Sequence, residues 1–255
     1  MTMGMVALRW RLFAAMLLAM VLVPGVPTHA ADWRTASREP VGLAPDPATT
    51  REAIVQVYAA RTFGWRGRFA VHSWIAVKPA EAAVWTVYEV IGWRMYSGQA
   101  PLVVHNRAPD GRWFGAAPEL LFDRRGEGVD RIIAGIEAAT LSYPFHDTYR
   151  MWPGPNSNTF IAYLIRSVPQ LDCDLPPTAI GKDFLVDGLL TRAPSGTGFQ
   201  LSLWGVLGVL IGAREGIEVN LFGLVFGLNP NDSALKLPML GRVRLAAWQE
   251  HDLKL

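Results

Sequence analysis

Three residues carry side chains and surroundings suited to acid–base or nucleophilic chemistry: His72, Glu89 and Ser157. Residues 68 to 77 and 84 to 92 alternate with period two and are rich in Val, Ile, Trp and Tyr, which predicts two strands joined by Lys78-Pro79-Ala80-Glu81-Ala82-Ala83. If Val77 pairs with Val84, His72 stands directly opposite Glu89, and imidazole and carboxylate are cross-strand neighbours. A carboxylate in that place fixes the imidazole tautomer and stabilises the imidazolium, which is what a general base needs. The expectation depends on register, since a slip of one residue turns one of the pair to the other face.

Ser157 sits in the densest run of turn formers, Pro153-Gly154-Pro155-Asn156-Ser157-Asn158, ahead of Phe160, Ile161, Leu164, Ile165 and Val168 at helical spacing up to Pro169. A serine at or beside a helix start gains from the dipole, and free backbone N–H groups there can form an oxyanion hole to which Asn156 or Asn158 would add a donor. The competing reading is bland: Ser and Asn are preferred N-cap residues, and this string would begin a helix well with no chemistry at all. Other candidates carry less. His105 and His146 lie in loop-like segments without an H-x-x-x-H or cysteine partner, so no metal site is signalled, and no cofactor motif is present. Lys182-Asp183 after Gly181 reads as a solvated turn. Cys173, the one cysteine, lies between Asp172 and Asp174, a setting that raises a thiol pKa and leaves it passive. Trp74, Trp85 and Trp93 near the hairpin read as core.

The elements that must hold these residues predict an α+β fold, an antiparallel sheet with packed helices. Residues 31–48 form an extended lead-in. Thr49 and Glu52 make a capping box, and Ile54, Val57 and Tyr58 then suggest a helix to about Arg61. A second helix is expected over Val129 to Ala139, with Ile132, Ile133 and Ile136 on one side. From Gly196 to Gly227, eight glycines punctuate apolar runs in which Gln200 and Ser202, then Glu218 and Asn220, alternate with apolar residues. Period two predicts a glycine-rich C-terminal β-hairpin turning at Ala213-Arg214-Glu215-Gly216, which can lie against lipid or a partner protein. A membrane helix over the uncharged stretch from Ala193 to Ala213 is the rival, opposed by Pro194, Gly196, Gly198, Gln200 and Ser202.

Residues 1–30 read as a secretory signal: Arg9 and Arg11, an apolar run from Leu12 to Val23, and a small-residue end at Thr28-His29-Ala30. The expected location is the periplasm or cell envelope, with 49–255 as one globular domain; an uncleaved N-terminal anchor is the alternative. Without Arg9 and Arg11 the 24 basic side chains fall to 22, against 22 acidic ones. A neutral domain has no electrostatic reason to seek nucleic acid. A single cysteine forbids an internal disulfide, so burial must stabilise the fold, and a chain that is 51% hydrophobic with ten tryptophans can do so.

Four strings go further: His72-Ser73-Trp74-Ile75, Tyr88-Glu89-Val90-Ile91-Gly92-Trp93-Arg94, Trp152-Pro153-Gly154-Pro155-Asn156-Ser157-Asn158-Thr159-Phe160 and Leu175-Pro176-Pro177-Thr178-Ala179-Ile180-Gly181-Lys182-Asp183. Together they resemble the bacterial domain-of-unknown-function 3750 family, over nearly the whole mature chain. That resemblance implies an exported or envelope protein. The order of a histidine on a hairpin strand, a polar residue on the next strand and an Asn-x-Asn-x-Phe helix start is also similar to the circularly permuted papain-like hydrolases related to the NlpC/P60 group. It implies a papain-like layout and a hydrolase or acyltransferase acting on an amide or ester, with Ser157 where those proteins carry a cysteine nucleophile, His72 as base and Glu89 as orienting group. A serine gains less than a thiol from a helix dipole, so His72 must take its proton. The reading from a different class is a non-catalytic binding or structural envelope domain, in which Ser157 is only a cap.

Overall fold

A computed structural model describes residues 32–244, and the signal reading of residues 1–30 lies outside the described residues. The first sheet holds β1 (Ile54–Arg61), β2 (Val71–Lys78), β3 (Thr86–Val90), β4 (Leu102–Asn106) and β5 (Glu119–Arg125), in the order β4-β3-β2-β1-β5. The segment expected to be a helix from Thr49 to Arg61 is therefore strand β1. Its residues 54–60 are buried on both faces, between β2 and β5. A continuous apolar run satisfies helical spacing as well as a doubly covered strand does, and the β-branched Ile54, Val55 and Val57 belong to the second case.

The hairpin is correct and its register is not. Ile75 pairs with Tyr88 and Val77 with Thr86, two residues away from the expected alignment. A slip of two preserves the face on which each side chain stands, so His72 and Glu89 remain on one side of the sheet, diagonal instead of opposite.

Helices α1 (Val129–Ser142) and α2 (Ser157–Ser167) cover one face of this sheet. Ile132, Ile136, Phe160 and Leu164 pack there with Val57, Ile75 and Val77. On the other face Tyr58, Trp74, Trp85 and Val87 lie under Trp113 and Phe114, with Ala36 and Ala44 of the lead-in packed against them. The lead-in is tied down by the Leu43 N–H, which donates to Asp110 Oδ2 at 2.7 Å, and by a bridge from Pro40 to Gly111.

The expected C-terminal hairpin is part of a larger antiparallel meander. It runs in chain order through β6 (Leu190–Arg192), β7 (Gly198–Leu203), β8 (Leu207–Gly212), β9 (Gly216–Leu221), β10 (Leu224–Asn229), β11 (Ala234–Leu237) and β12 (Gly241–Arg244). The predicted turn joins β8 to β9, closed by Gly216 at φ 78°. The alternation is inverted relative to a water-facing sheet. Gln200, Ser202, Glu218, Asn220 and Lys236 are buried, whereas Phe199, Leu201, Val209, Ile211, Ile217 and Val219 are exposed. No helix among the described residues is long and apolar enough to cross a membrane.

The polar face packs on the segment after α2. Glu218 accepts from the ammonium groups of both Lys182 and Lys236. Asp174 binds Lys236 at 2.6 Å and also Arg242. Asp183 accepts from Gln200 Nε2 at 2.6 Å and Asn220 Nδ2 at 3.0 Å. Lys182-Asp183, expected as a solvated turn, is thus buried inside a charge network that couples the sheet to the rest of the fold; the sequence could not show that β9 and β11 present charged partners to it. Cys173 is buried, and burial together with Asp174 pushes its thiol up to about 12, which agrees with a passive cysteine.

Candidate functional site

Asn156 is the N-cap of α2. Its Oδ1 accepts from the N–H groups of Asn158 and Thr159, and Thr159 Oγ1 accepts from the Asn156 N–H, which completes a capping box. Its Nδ2 donates to the carbonyls of Met151 and Ile180. Asn158 is equally committed: Oδ1 accepts from Ser73 Oγ at 2.8 Å, and Nδ2 donates to Val71 O and Ile180 O. Neither side-chain amide has a hydrogen left over for an oxyanion, so both asparagines build the site without joining its chemistry. Because Val71 and Ser73 flank His72, the Asn158 side chain stitches the start of α2 to the start of β2.

Ser157, expected as either nucleophile or cap, is the first residue inside the helix, and the capping is done by Asn156. Its hydroxyl makes no side-chain hydrogen bond among the described residues. With the Asn158 and Thr159 N–H groups taken by Asn156 Oδ1, the Ser157 N–H is the donor of the first turn left open at the helix's positive end.

His72 is 5% exposed and stands on the face opposite the helices, where the Trp113 ring stacks on it at 3.6 Å and 14°. Its Nε2 lies 2.9 Å from Glu89 Oε2. Glu89 is buried, and its other oxygen accepts from His105 Nε2 at 2.7 Å and Arg107 Nε at 2.9 Å. Burial alone would raise the Glu89 pKa, but the hydrogen bonds from His105 and His72, the His72 interaction and the Arg107 charge together hold it well below the usual carboxylate range. His72 moves down from its ordinary value, chiefly through burial and with a contribution from Arg107, against the opposing pull of Glu89. At neutral pH the carboxylate is therefore ionised and the imidazole neutral. An ionised carboxylate only accepts, so the ring proton is on Nε2 and the lone pair is on Nδ1, which has no partner among the described residues. That is the state of a base ready to take a proton.

His105 and Arg107 were missed as site residues. β4 is a partly exposed edge strand between Pro101 and Pro109, and nothing in its own sequence indicates that it pairs with β3 so as to aim both side chains at Glu89.

His72 and Ser157 line one cavity of about 790 Å³ at the end of the first sheet, where β2 and α2 begin. Its wall is mainly aromatic, with Phe63, Trp93, Trp113, Phe114, Tyr149 and Trp152 among the contributors. Trp74 and Trp85 are core as expected, whereas Trp93 is 44% exposed and belongs to the cavity wall. Arg38 and Arg66 also line the cavity, and no acidic residue among the described residues does.

A family described as a protein of unknown function (DUF3750) matches residues 52–184, just over half of the sequence, and the chain belongs to that family. The match takes in the first sheet, both helices, His72, Glu89, Ser157 and the Lys182-Asp183 pair, and ends before the second sheet, so it is shorter than the near-complete resemblance expected. No curated protein and no solved structure matches the chain.

Proposed function

We propose that this member of the DUF3750 family is an exported envelope hydrolase or acyltransferase that cleaves an ester or amide through Ser157. The observation that carries the reading is buried His72, held at Nε2 by Glu89 at 2.9 Å and without a partner at Nδ1 among the described residues, lining the same cavity as a serine at a helix N-terminus. In the step envisaged, His72 Nδ1 takes the Ser157 Oγ proton as Oγ bonds to the substrate carbonyl carbon. The oxyanion faces the Ser157 N–H, and His72 returns the proton to the departing alcohol or amine. Water, deprotonated by the same nitrogen, then releases the acid and restores the serine; an acceptor alcohol in place of water makes the reaction a transfer. Glu89 holds the tautomer and stabilises the imidazolium, a division of labour shared with papain-like hydrolases, to which the order of these residues is similar.

The test is labelling by a fluorophosphonate probe. Labelling of the wild type that disappears in both Ser157→Ala and His72→Ala supports the reading, and a folded wild type that stays unlabelled removes it. Export predicts that the protein purified from the envelope begins at Ala31; recovery with Met1 intact and anchored would favour the uncleaved alternative.

A non-catalytic binding domain is the second reading, and one observation favours it: Trp113 covers the imidazole ring at stacking distance within a wall that is already a good apolar ligand site.

A further inference from the structure

The cavity and the second sheet are not separate features. Leu224 lines the cavity and also opens β10, where it pairs with Leu221, so both side chains stand on the exposed face of the sheet. Trp152, another wall residue, donates from Nε1 to Phe222 O at 3.1 Å in the β9–β10 turn. An apolar surface therefore runs without interruption from the outward rows of the meander to the cavity mouth. Across the sheet those rows are uniformly apolar: Phe199, Ile211 and Ile217 in one register line, Leu201, Val209 and Val219 in the next. A basic side chain comes at one margin, where exposed Arg192 at the β6 edge pairs with Phe199 and so stands on the outward face.

Exposed aromatic rings gather where this surface meets the cavity. Trp204 and Phe222 occupy the β7–β8 and β9–β10 turns at 69% and 66% exposure, and Trp65 and Tyr96 at the cavity stand 69% and 94% exposed. A sheet face this large and this apolar is not left to water in a monomer. Rings with an apolar body and a polar edge suit the boundary between hydrocarbon and headgroups. Six-residue strands are shorter than the roughly nine residues a spanning strand requires, so the surface fits lying on a bilayer.

We propose that the outward face of the second sheet seats on a lipid bilayer and that the cavity receives an acyl chain of an anionic glycerophospholipid, whose phosphate meets Arg38 and Arg66. The acyl-chain part rests on the Ser157 reading; the docking part does not. Charge selects the occupant, because among the described residues the charged side chains lining the cavity are those two arginines, and Arg192 stands at the edge of the outward face. In the reaction, the ester C–O bond of the lipid breaks as the acyl group passes to Ser157 Oγ. The serine proton leaves on the glycerol oxygen, and water then frees the fatty acid, so the products are one fatty acid and one lysophospholipid.

The experiment is flotation of the purified protein with vesicles of phosphatidylcholine containing phosphatidylglycerol, with released fatty acid measured in the same samples. Wild type is expected to float and to release fatty acid. Leu201→Thr combined with Val209→Thr and Val219→Thr, all outward positions on strands that accept threonine, should lower partitioning by about tenfold or more with unchanged circular dichroism. Ser157→Ala should float like wild type and release nothing. Arg38→Gln with Arg66→Gln should remove the preference for phosphatidylglycerol over phosphatidylcholine. Wild type that stays unbound overturns the docking, as does a concentration-dependent dimer that the threonine substitutions dissolve, which would make the face a contact between copies. Probe labelling at Ser157 without fatty-acid release from bound vesicles would overturn the lipid substrate and leave the hydrolase reading standing. Flotation without labelling would overturn the hydrolase reading, and the acyl-chain part with it, and leave the docking standing.

Discussion

Glu89 accepts three hydrogen bonds with one buried carboxylate, and its charge decides which ring nitrogen of His72 carries the proton. Glu89→Gln preserves shape but presents an amide that can donate to His72, which permits the wrong tautomer; the expected loss of acyl-transfer rate is on the order of ten-thousand-fold, read as turnover of a soluble ester. A loss smaller than tenfold would mean that His72 is not oriented by this carboxylate. The pH dependence has a definite sign. His72 is depressed by burial, so the acid limb of kcat/KM should lie below the ordinary imidazole value of about 6.5. Stability moves the same way: below about 6.5 the unfolded chain takes a proton at His72 that the folded site resists, and below about 4.3 it takes another at Glu89, so stability falls as pH falls through both windows. Urea midpoints that fail to decline between pH 7 and pH 5, or that decline equally in His72→Asn, would contradict the His72 part. The residues of the candidate site were legible as candidates, because a histidine and a glutamate in alternating strands and a serine after Pro-Gly-Pro-Asn are local signals. His105 and Arg107 were not, since their role comes from strand pairing across a loop.

At the scale of elements, the start of α2 is the part that positions the site. Asn156→Ala removes the cap and its two carbonyl contacts together, and should cost about 2 kcal/mol, measured as a shift of the urea midpoint with unchanged m. Asn158→Ala should cost a similar amount and, in addition, lower the rate, because it releases Ser73 and Val71 on either side of His72. A variant that loses stability without losing rate would show that the stitch does not orient the base. Sequence periodicity found α1 and α2 because each buries one face; β2 is buried on both, and its hairpin was found from β-branched and aromatic runs on either side of the Lys78 to Ala83 turn. It took β1 for a helix because a strand buried on both faces has no polar period to read, and the Thr49-x-x-Glu52 box supplied a plausible false start.

For the molecule as a whole, the second sheet meets the segment after α2 through charge. Lys182 and Lys236 share Glu218, and Asp174, Lys236 and Arg242 continue the network, with Lys182, Lys236 and Glu218 buried and Asp174 and Arg242 partly so. Burial pushes the Lys182 ammonium down, but Asp183, Glu218 and Asp174 outweigh it and raise its pKa overall. Glu218→Ala leaves two cations without their shared partner and should destabilise the protein by about 3–5 kcal/mol in denaturant unfolding. A change below about 1 kcal/mol would mean that water reaches the interface. The sequence showed that Glu218 and Asn220 alternate with apolar residues, but alternation alone does not say which set faces inward. That inversion means a substitution map of the second sheet would run backwards. Leu201→Ser or Val209→Ser should leave folding almost untouched, while Gln200→Leu or Asn220→Leu, improvements by any hydrophobicity score, should abolish it by stranding Asp183. A library selected only for folding would therefore turn polar on the outside of this sheet, and whatever keeps those positions apolar in the working protein is a measure of what the face touches.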